Sequence, residues 1–272
     1  MAIDFTFILF LFYSRMMFII FPINCQLPAN CLKNQLNQKS MYQEWRYNEF
    51  QQTGKDYASQ DEVDVYDPTH DDFRDLAKEL KETVNWLNPK PNSKILDIGC
   101  GTGNFSIQLS TLCEKVYAID VSETMLKFAQ SKAIAAYATN ISFSHTGYLN
   151  FDLPKDHLDG VISSLSLHHL PDFWKSVALN RIFRVLKPGG RFYLYDVVIP
   201  DQQSKDTIDA FIDRQERRGG AFMKEDTIIH FKEEFSTFDW VMKKLLLDAG
   251  FLIEKEILSD GVFKNYFCQK PL

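Results

Sequence analysis

The chain has 272 residues, enough for one large domain or two small ones. Hydrophobic residues make up 45% and charged residues 24%, which is typical of a globular protein with a sizeable core. The formal net charge of -6 gives no support to nonspecific binding of a polyanion, so nucleic acid is not an expected partner. The five cysteines show neither C-x-x-C nor Cys/His ligand spacing, so we expect a reduced, cytoplasmic chain without a metal site.

Residues 1–40 differ in composition from the rest of the chain. Two apolar runs, Phe5–Tyr13 and Met16–Ile23, are separated by Arg15, and neither reaches the ~20 residues that span a bilayer. As one span they would hold Arg15 near the bilayer centre, at a cost of roughly 2.5–3.5 kcal/mol. Two interpretations stay open: an over-extended reading frame whose true start is Met41, or a membrane anchor. A membrane is an expected partner only in the second.

Residues 41–93 are predicted to form an N-terminal helical cap. Between Asp72 and Leu87, apolar residues recur every three or four positions, which gives a helix with one apolar face. Asn88 and two prolines then end this helix.

From residue 94 onward, short β-rich runs alternate with helical patterns. The predicted strands are Lys94–Ile98, Lys115–Ile119, Ile141–His145, Leu158–Leu165, Arg191–Val198, Phe251–Ser259 and Val262–Gln269. The predicted helices are Gly103–Cys113, Ser122–Tyr137, Trp174–Val185 and Phe238–Ala249. This alternation predicts an α/β fold with a doubly wound, mostly parallel seven-stranded sheet. The ligand of such a sheet lies beyond the carboxyl ends of its central strands.

Two stretches depart from the alternation. Asp260 and Gly261 separate the last two runs, and Asp-Gly is a strong signal for an antiparallel hairpin. Residues 200–237 fit no sheet element and exceed an ordinary connection, so we predict a helical lid insertion that caps the site. Three arginines within residues 214–218 form either a solvated helix face or a contact for an anionic substrate.

The segment DIGCGTG, which begins at Asp97, is a glycine-rich loop after the first strand. The dinucleotide fingerprint G-x-G-x-x-G/A would need a small residue in place of Asn104, and a Walker loop would need a lysine. Asp97 would repel a phosphate but suits a cationic ligand group. S-adenosylmethionine fits this pattern, because it carries a sulfonium and an ammonium and no phosphate.

Asp120 ends the second strand, about twenty residues beyond the glycine-rich loop. An acid at this place accepts hydrogen bonds from ribose hydroxyls, a device that NAD enzymes share. Ser122 is a predicted helix N-cap. Met125 follows within the first turn and packs either on an adenine face or in the core.

Four segments in order resemble the motifs of class I S-adenosylmethionine-dependent methyltransferases: ILDIGCGTGNFS, VYAIDVSETML, LDGVISSLSLHHLPD and RIFRVLKPGGRFYLYD. The lead-in EFQQTGKDYASQDEVDVYD resembles that of type 11/25-like small bacterial members of unassigned substrate. The resemblance implies a Rossmann-like methyltransferase domain over residues 94–272, with S-adenosylmethionine as its cofactor.

The resemblance also implies where the cofactor is held. Asp97 would face its methionine end and Asp120 its ribose. Many members carry Gly-Asp after the third strand, where the Asp meets the adenine amino group, but this chain has Tyr148 there. The implied cofactor-binding positions are Asp97, Gly99, Gly101, Gly103, Asp120, Val121, Met125, Gly147, Tyr148, Ser164 and Leu165.

Methyl transfer from a sulfonium is an in-line displacement, so the protein mainly has to hold the acceptor atom near and aligned. A general base is needed only for an acceptor whose pKa lies well above the working pH. His168 and His169 are weak candidates for that base, because they lie just past the fourth strand. Tyr66, Arg74 and Asp196 are the substrate-binding candidates.

We therefore expect a methyltransferase that acts on a small-molecule acceptor. After the fourth strand the chain reads SSLS and lacks the Asn/Asp-Pro-Pro-Tyr/Phe stretch of enzymes that methylate amino groups of DNA bases. Two alternatives stay open: a cofactor-binding regulatory protein with the same fold and no turnover, and methylation of a macromolecule such as RNA or protein. An NAD-linked oxidoreductase is disfavoured by Asn104 and Asp97.

Overall fold

The computed structural model describes residues 45–51, 53–54, 75–200 and 204–272. By internal contacts the chain divides into two units, Met1–Arg46 and Tyr47–Leu272, and every helix and strand described below belongs to the second. The apolar N-terminal extension and the substrate candidates Tyr66 and Arg74 lie outside the described residues. Within the described ranges, no helix combines the length and apolar character that crossing a membrane requires.

Strands and helices alternate along the described chain. The strands are β1 Lys94–Ile98, β2 Lys115–Asp120, β3 Ile141–His145, β4 Leu158–Ser164, β5 Leu186–Ile199, β6 Thr237–Phe238, β7 Leu252–Ser259 and β8 Phe263–Gln269. The helices are α1 Leu76–Leu87, α2 Asn104–Ser110, α3 Glu123–Ala135, α4 Asp172–Val185, α5 Ser204–Glu233 and α6 Asp239–Asp248. β5 begins earlier than its predicted start at Arg191, because Gly189 and Gly190 exchange backbone hydrogen bonds with Lys270.

The described strands form one eight-stranded sheet. Its hydrogen-bonded path runs β3-β2-β1-β4-β5-β8-β7, and β6 pairs with β5 beside this path. Pairing is parallel from β3 to β5, whereas β8 is antiparallel to both β5 and β7. The predicted α/β sheet with a terminal antiparallel hairpin is confirmed. β6 is an addition to the seven predicted strands, since two residues are too few to show a strand period.

The central strand β1 is buried on both faces, as alternation of side chains across a parallel sheet requires. Ile95 joins the apolar cluster that α1 and α2 cover. Leu96 and Ile98 join the cluster on the opposite face, which α4 and α6 cover. The alternation places the side chain of Asp97 on the same face as Ile95, towards α2.

Side-chain caps fix where two of the helices begin. At α1, Asp75 accepts a hydrogen bond from the Lys78 amide at 2.9 Å. At α3, Ser122 Oγ accepts from the Met125 amide at 3.1 Å, so the predicted N-cap at Ser122 is confirmed.

Helix α5 occupies most of residues 200–237, where we predicted an insertion. It breaks at Gly219–Gly220, where the backbone is non-helical. In its first half, Arg214 Nε donates to Asp260 Oδ1 at 3.0 Å and Arg218 Nη1 to Asp260 Oδ2 at 2.9 Å. These two arginines therefore bind the turn between β7 and β8, while the role of the insertion as a lid stays a prediction.

Candidate functional site

A cleft opens at the carboxyl ends of β1, β2 and β4. From β1 the chain adds β2 and β3 on one side of the sheet and then β4 and β5 on the other, so the strand order reverses between β1 and β4. Parallel sheets bind their ligands at such a switch point. The lining residues are Tyr47, Glu49, Gln51, Thr53, Ile98, Gly99, Gly101, Asp120, Val121, Met125, Gly147, Tyr148, Ser164, Leu165, Ser166, His169 and Leu170. Every predicted cofactor position except Asp97 and Gly103 is among them.

Asp120 is the carboxylate at the end of β2, and two backbone amides fix its orientation. Gly101 N–H donates to Oδ2 and Ser122 N–H donates to Oδ1, each at 2.8 Å. Burial raises the pKa of Asp120, although these amides oppose the rise by stabilising the charged form. The glycine-rich loop and β2 are thereby joined through a carboxylate that lines the cleft.

Asp97 lies one layer deeper, against α2. Its Oδ2 accepts a hydrogen bond from Ser106 Oγ at 2.6 Å, and its side chain is almost fully buried. Burial, opposed by Ser106 and supported by the charge of Asp120, raises the pKa of Asp97 to about 6. Asp97 is absent from the cleft lining, and its carboxylate contacts Ser106 of α2 instead.

Gly103 allows α2 and α3 to approach each other closely. Its φ is +80°, and an added Cβ would lie 3.0 Å from the Ala129 Cβ on α3. In the dinucleotide fingerprint, close packing of the helix is allowed by a small residue one position later. This chain has Asn104 at that position. Gly103 is thus a helix-packing residue in the described structure.

Tyr148 lines the cleft, but its hydroxyl is turned to the protein. That hydroxyl lies 2.6 Å from Ser163 Oγ and 2.5 Å from Ser166 Oγ, at hydrogen-bond distance from both. Burial raises the pKa of Tyr148 far above its ordinary value, so the hydroxyl stays protonated. The aromatic ring, rather than an acid, therefore faces the cleft at this position.

The acid beside Gly147 is Glu49, from the lead-in segment. Glu49 Oε1 accepts from the Leu149 amide at 3.0 Å and from Asn150 Nδ2 at 2.6 Å. An added Cβ on Gly147 would lie 2.4 Å from Glu49 Oε2 and 2.7 Å from Val121 Cγ1, so a larger residue would displace one of these side chains. Burial raises the pKa of Glu49, opposed by these hydrogen bonds. Sequence reasoning missed Glu49, although the lead-in resemblance EFQQTGKDY begins with it.

The end of β4 contributes Ser164 and Leu165 to the cleft. Leu165 N–H donates to the Tyr195 carbonyl at 2.7 Å, and its φ of +50° lies in the left-handed region. Such a conformation costs a non-glycine residue roughly 1–2 kcal/mol. Met125 is buried and also lines the cleft, while its contact with adenine stays a prediction.

The two histidines of the predicted pair have different environments. His169 lines the cleft, and burial together with the charge of His168 lowers the pKa of His169 to about 3. His168 lies behind it, with Nδ1 2.5 Å from Asp196 Oδ1 and Nε2 3.3 Å from Glu234 Oε2. Burial lowers the pKa of His168, but the two carboxylates outweigh burial and raise it to about 9. Asp196, a substrate candidate, is fully buried and contacts His168.

The charge of the cleft is negative. Among the described residues that line it, Glu49 and Asp120 are carboxylates and none is lysine or arginine. A cleft of this kind favours a cationic ligand and disfavours a pyrophosphate.

Known proteins share this sequence pattern and this fold. The family described as "Methyltransferase domain" matches residues 95–190. An uncharacterized methyltransferase of Geobacillus sp. (strain WCH70) is 28% identical over 191 residues, which cover 70% of this chain and 83% of the relative. The solved structure of a SAM dependent methyltransferase from Aquifex aeolicus is superposable with a TM-score of 0.55 at 22% identity, over 78% of this chain and 98% of that one. The family match, the curated relatives and the fold together support a class I S-adenosylmethionine-dependent methyltransferase.

A second relative of this methyltransferase has a named substrate. The demethylmenaquinone methyltransferase of the same Geobacillus strain is 30% identical over 122 residues. Those residues cover 44% of this chain and 51% of the relative.

Proposed function

We propose that this methyltransferase binds S-adenosylmethionine in the cleft and directs its methyl group, in line, onto a small-molecule acceptor. The observation that carries the proposal is the Asp120 carboxylate, which two backbone amides orient beside the glycine-rich loop. A carboxylate held in this way is suited to accept hydrogen bonds from ribose hydroxyls.

The chemistry of the lining supports this cofactor over NAD. Two carboxylates, Glu49 and Asp120, stand among the described lining residues without a lysine or arginine. They attract the sulfonium and ammonium of S-adenosylmethionine, whereas the pyrophosphate of NAD would be repelled. Asp97, which contacts Ser106 beneath the cleft, is proposed to add negative charge below the cofactor's methionine end.

Glu49 is proposed to meet the adenine amino group. In relatives an Asp after the third strand makes this contact, but Tyr148 of this chain binds Ser163 and Ser166 with its hydroxyl. The Glu49 carboxylate approaches the same place, beside Gly147, from the lead-in segment. The acid is then retained at the site although it comes from a different part of the chain.

When bound, S-adenosylmethionine supplies an electrophilic methyl group on a sulfonium. The protein's own task is to hold the acceptor atom in line with that group and to exclude water. His169 lines the cleft as a neutral imidazole, because its pKa is lowered to about 3. A group with so low a pKa is a weak base at neutral pH, so we assign to His169 the orientation of the acceptor by hydrogen bonding.

A small acceptor is favoured by the way in which the lead-in segment forms part of the cleft wall. Tyr47, Glu49 and Thr53 all line the cleft, and the Tyr47 hydroxyl donates to the His169 carbonyl at 3.1 Å. This wall restricts the approach of a macromolecule. The demethylmenaquinone methyltransferase relative, by its name, acts on a small molecule.

The test is incubation of the full chain with methyl-labelled S-adenosylmethionine and a cell extract, followed by separation of small molecules from macromolecules and mass spectrometry. Asp120→Ala is the control variant. Label in a small molecule, lost in Asp120→Ala, is the expected result. Label in RNA or protein would contradict the small acceptor. No labelled product, with intact binding of S-adenosylhomocysteine, would favour the regulatory protein without turnover.

A further inference from the structure

A group of ionisable side chains lies directly behind the cleft. Ligand atoms of His168, His169 and Glu234 all lie within 4.8 Å of one another. His168 and His169 follow β4, whereas Glu234 comes just after α5, so the group joins the sheet to the end of the insertion. The group adjoins the cleft because His169 belongs to the group and also lines the cleft.

Glu234 presents a buried carboxylate oxygen to two imidazoles. Its side chain is 3% exposed, and Oε2 has no hydrogen-bond partner of good geometry among the described residues. This oxygen lies 3.3 Å from His168 Nε2 and also close to His230 Nδ1. A buried carboxylate needs a positive charge beside it, which protonated His168 supplies when no metal is bound. A divalent cation could take that place, with release of the proton from His168 Nε2.

Neighbouring residues hold the side chains of His168 and Glu234 in place. Asp196 Oδ1 lies 2.5 Å from His168 Nδ1, which directs His168 Nε2 towards Glu234. The neighbour of Glu234, Phe235, donates its amide to the His168 carbonyl at 2.9 Å. The Lys175 ammonium binds the Phe235 carbonyl. A carboxylate that fixes the second nitrogen of a histidine is the usual outer partner of a metal-bound imidazole.

We propose that His168 Nε2, His169 and Glu234 bind a divalent transition metal, with Asp196 orienting His168. Two imidazoles and one carboxylate are a known ligand set for Zn²⁺, and three protein ligands leave a coordination position open. Zinc bonds of about 2.0–2.2 Å bring tetrahedral ligand atoms to roughly 3.3–3.5 Å from one another. His168 Nε2 and Glu234 Oε2 already have that separation, at 3.3 Å, so metal binding would require only His169 to move closer. This site could not be predicted from the sequence, because Glu234 lies more than sixty positions after the two histidines and the set has no recognised metal-ligand spacing.

The test is zinc binding by the full chain, purified without a polyhistidine tag and stripped with a chelator. Isothermal titration with Zn²⁺ alone is expected to show one ion per chain. Glu234→Gln should weaken binding at least about 100-fold, and Asp196→Asn, which removes an outer partner, about 10–100-fold. Glu233→Gln, at the exposed neighbouring position, is the matched control and should bind as the unaltered chain does.

His169→Ala provides a second test, because Glu234→Gln alone could disturb the end of α5. Circular dichroism and binding of S-adenosylhomocysteine establish that each variant is folded. Loss of zinc binding in folded His169→Ala or Glu234→Gln supports the site. No binding of one equivalent by the unaltered chain, or equal binding by the unaltered chain and both folded variants, would overturn it.

Discussion

At the scale of single residues, the cleft depends on carboxylates that hydrogen bonds orient. Asp120 is fixed by two amides, and Glu49 by Leu149 and Asn150. Asp97 is fixed by Ser106 in the layer below. Burial raises the pKa of each of these carboxyls. A cation bound in the cleft would favour the charged form of the two that line it, Glu49 and Asp120.

A pair of substitutions separates Glu49 from Tyr148. We expect Glu49→Gln to weaken S-adenosylhomocysteine binding by about 1–3 kcal/mol, because a charged acceptor for the adenine amino group is lost. Tyr148→Phe should change affinity much less, since its hydroxyl contacts Ser163 and Ser166 rather than the cleft. Calorimetry on both variants measures the difference. A larger loss in Tyr148→Phe would contradict the assignment of Glu49.

Asp97 gives a prediction for the pH dependence of stability. Its pKa is about 6 in the folded chain, above its ordinary value of 3.8. The folded state therefore holds this proton more tightly, and the stabilisation is complete below about pH 4 and lost as the pH rises through 6. The Asp97 contribution should have a slope of up to about 1.4 kcal/mol per pH unit in that window.

Urea unfolding between pH 4 and pH 7 compares the unaltered chain with Asp97→Asn, which cannot titrate at this position. The difference in the free energy of unfolding should shift steadily in favour of Asp97→Asn as the pH rises. A constant difference across the window would show that Asp97 keeps its ordinary pKa.

At the scale of elements, the glycine-rich loop both borders the cleft and sets the distance between helices. Gly101 and Gly103 share a left-handed conformation, with φ of +51° and +80°. An added Cβ on Gly103 would meet Ala129 of α3 at 3.0 Å, whereas one on Gly101 would meet no described atom within 4 Å. Both glycines therefore need a left-handed backbone, but only Gly103 is also packed against a neighbouring helix.

Gly103→Ala and Gly101→Ala test this distinction. Both should lose about 1 kcal/mol or more of unfolding free energy, because alanine is strained at positive φ. Gly103→Ala should lose more, since α2 and α3 must also move apart. Urea denaturation of the two variants gives the comparison, and equal losses would show that the contact with Ala129 is unimportant.

Elements with a regular period could be predicted closely from the sequence. β1 and β3 have their predicted bounds, because apolar runs between turn residues define buried strands. The helix in residues 200–237 had no predicted bounds, since its apolar residues follow no steady face and Gly219–Gly220 interrupts it. β6 was missed because its pairing with β5 is set by the tertiary structure.

At the scale of the whole molecule, the candidate site could be predicted where its residues follow strands in order. Asp120 and Ser164 end parallel strands and Gly147 follows one, so their meeting at one edge of the sheet follows from the fold. Glu49 and Glu234 could not be predicted, because they reach the cleft region from the lead-in segment and from the end of α5. Long-range contacts of this kind leave no local spacing in a single sequence.

The central claim, that the cleft is an S-adenosylmethionine site, is tested most directly by calorimetry on the full chain with S-adenosylhomocysteine and with NADH. We predict saturable binding of S-adenosylhomocysteine at one site per chain, weakened by about 1–3 kcal/mol in Asp120→Ala. Asp152→Asn, at an exposed carboxyl, is the control and should bind normally. Tight binding of NADH without binding of S-adenosylhomocysteine would contradict the claim.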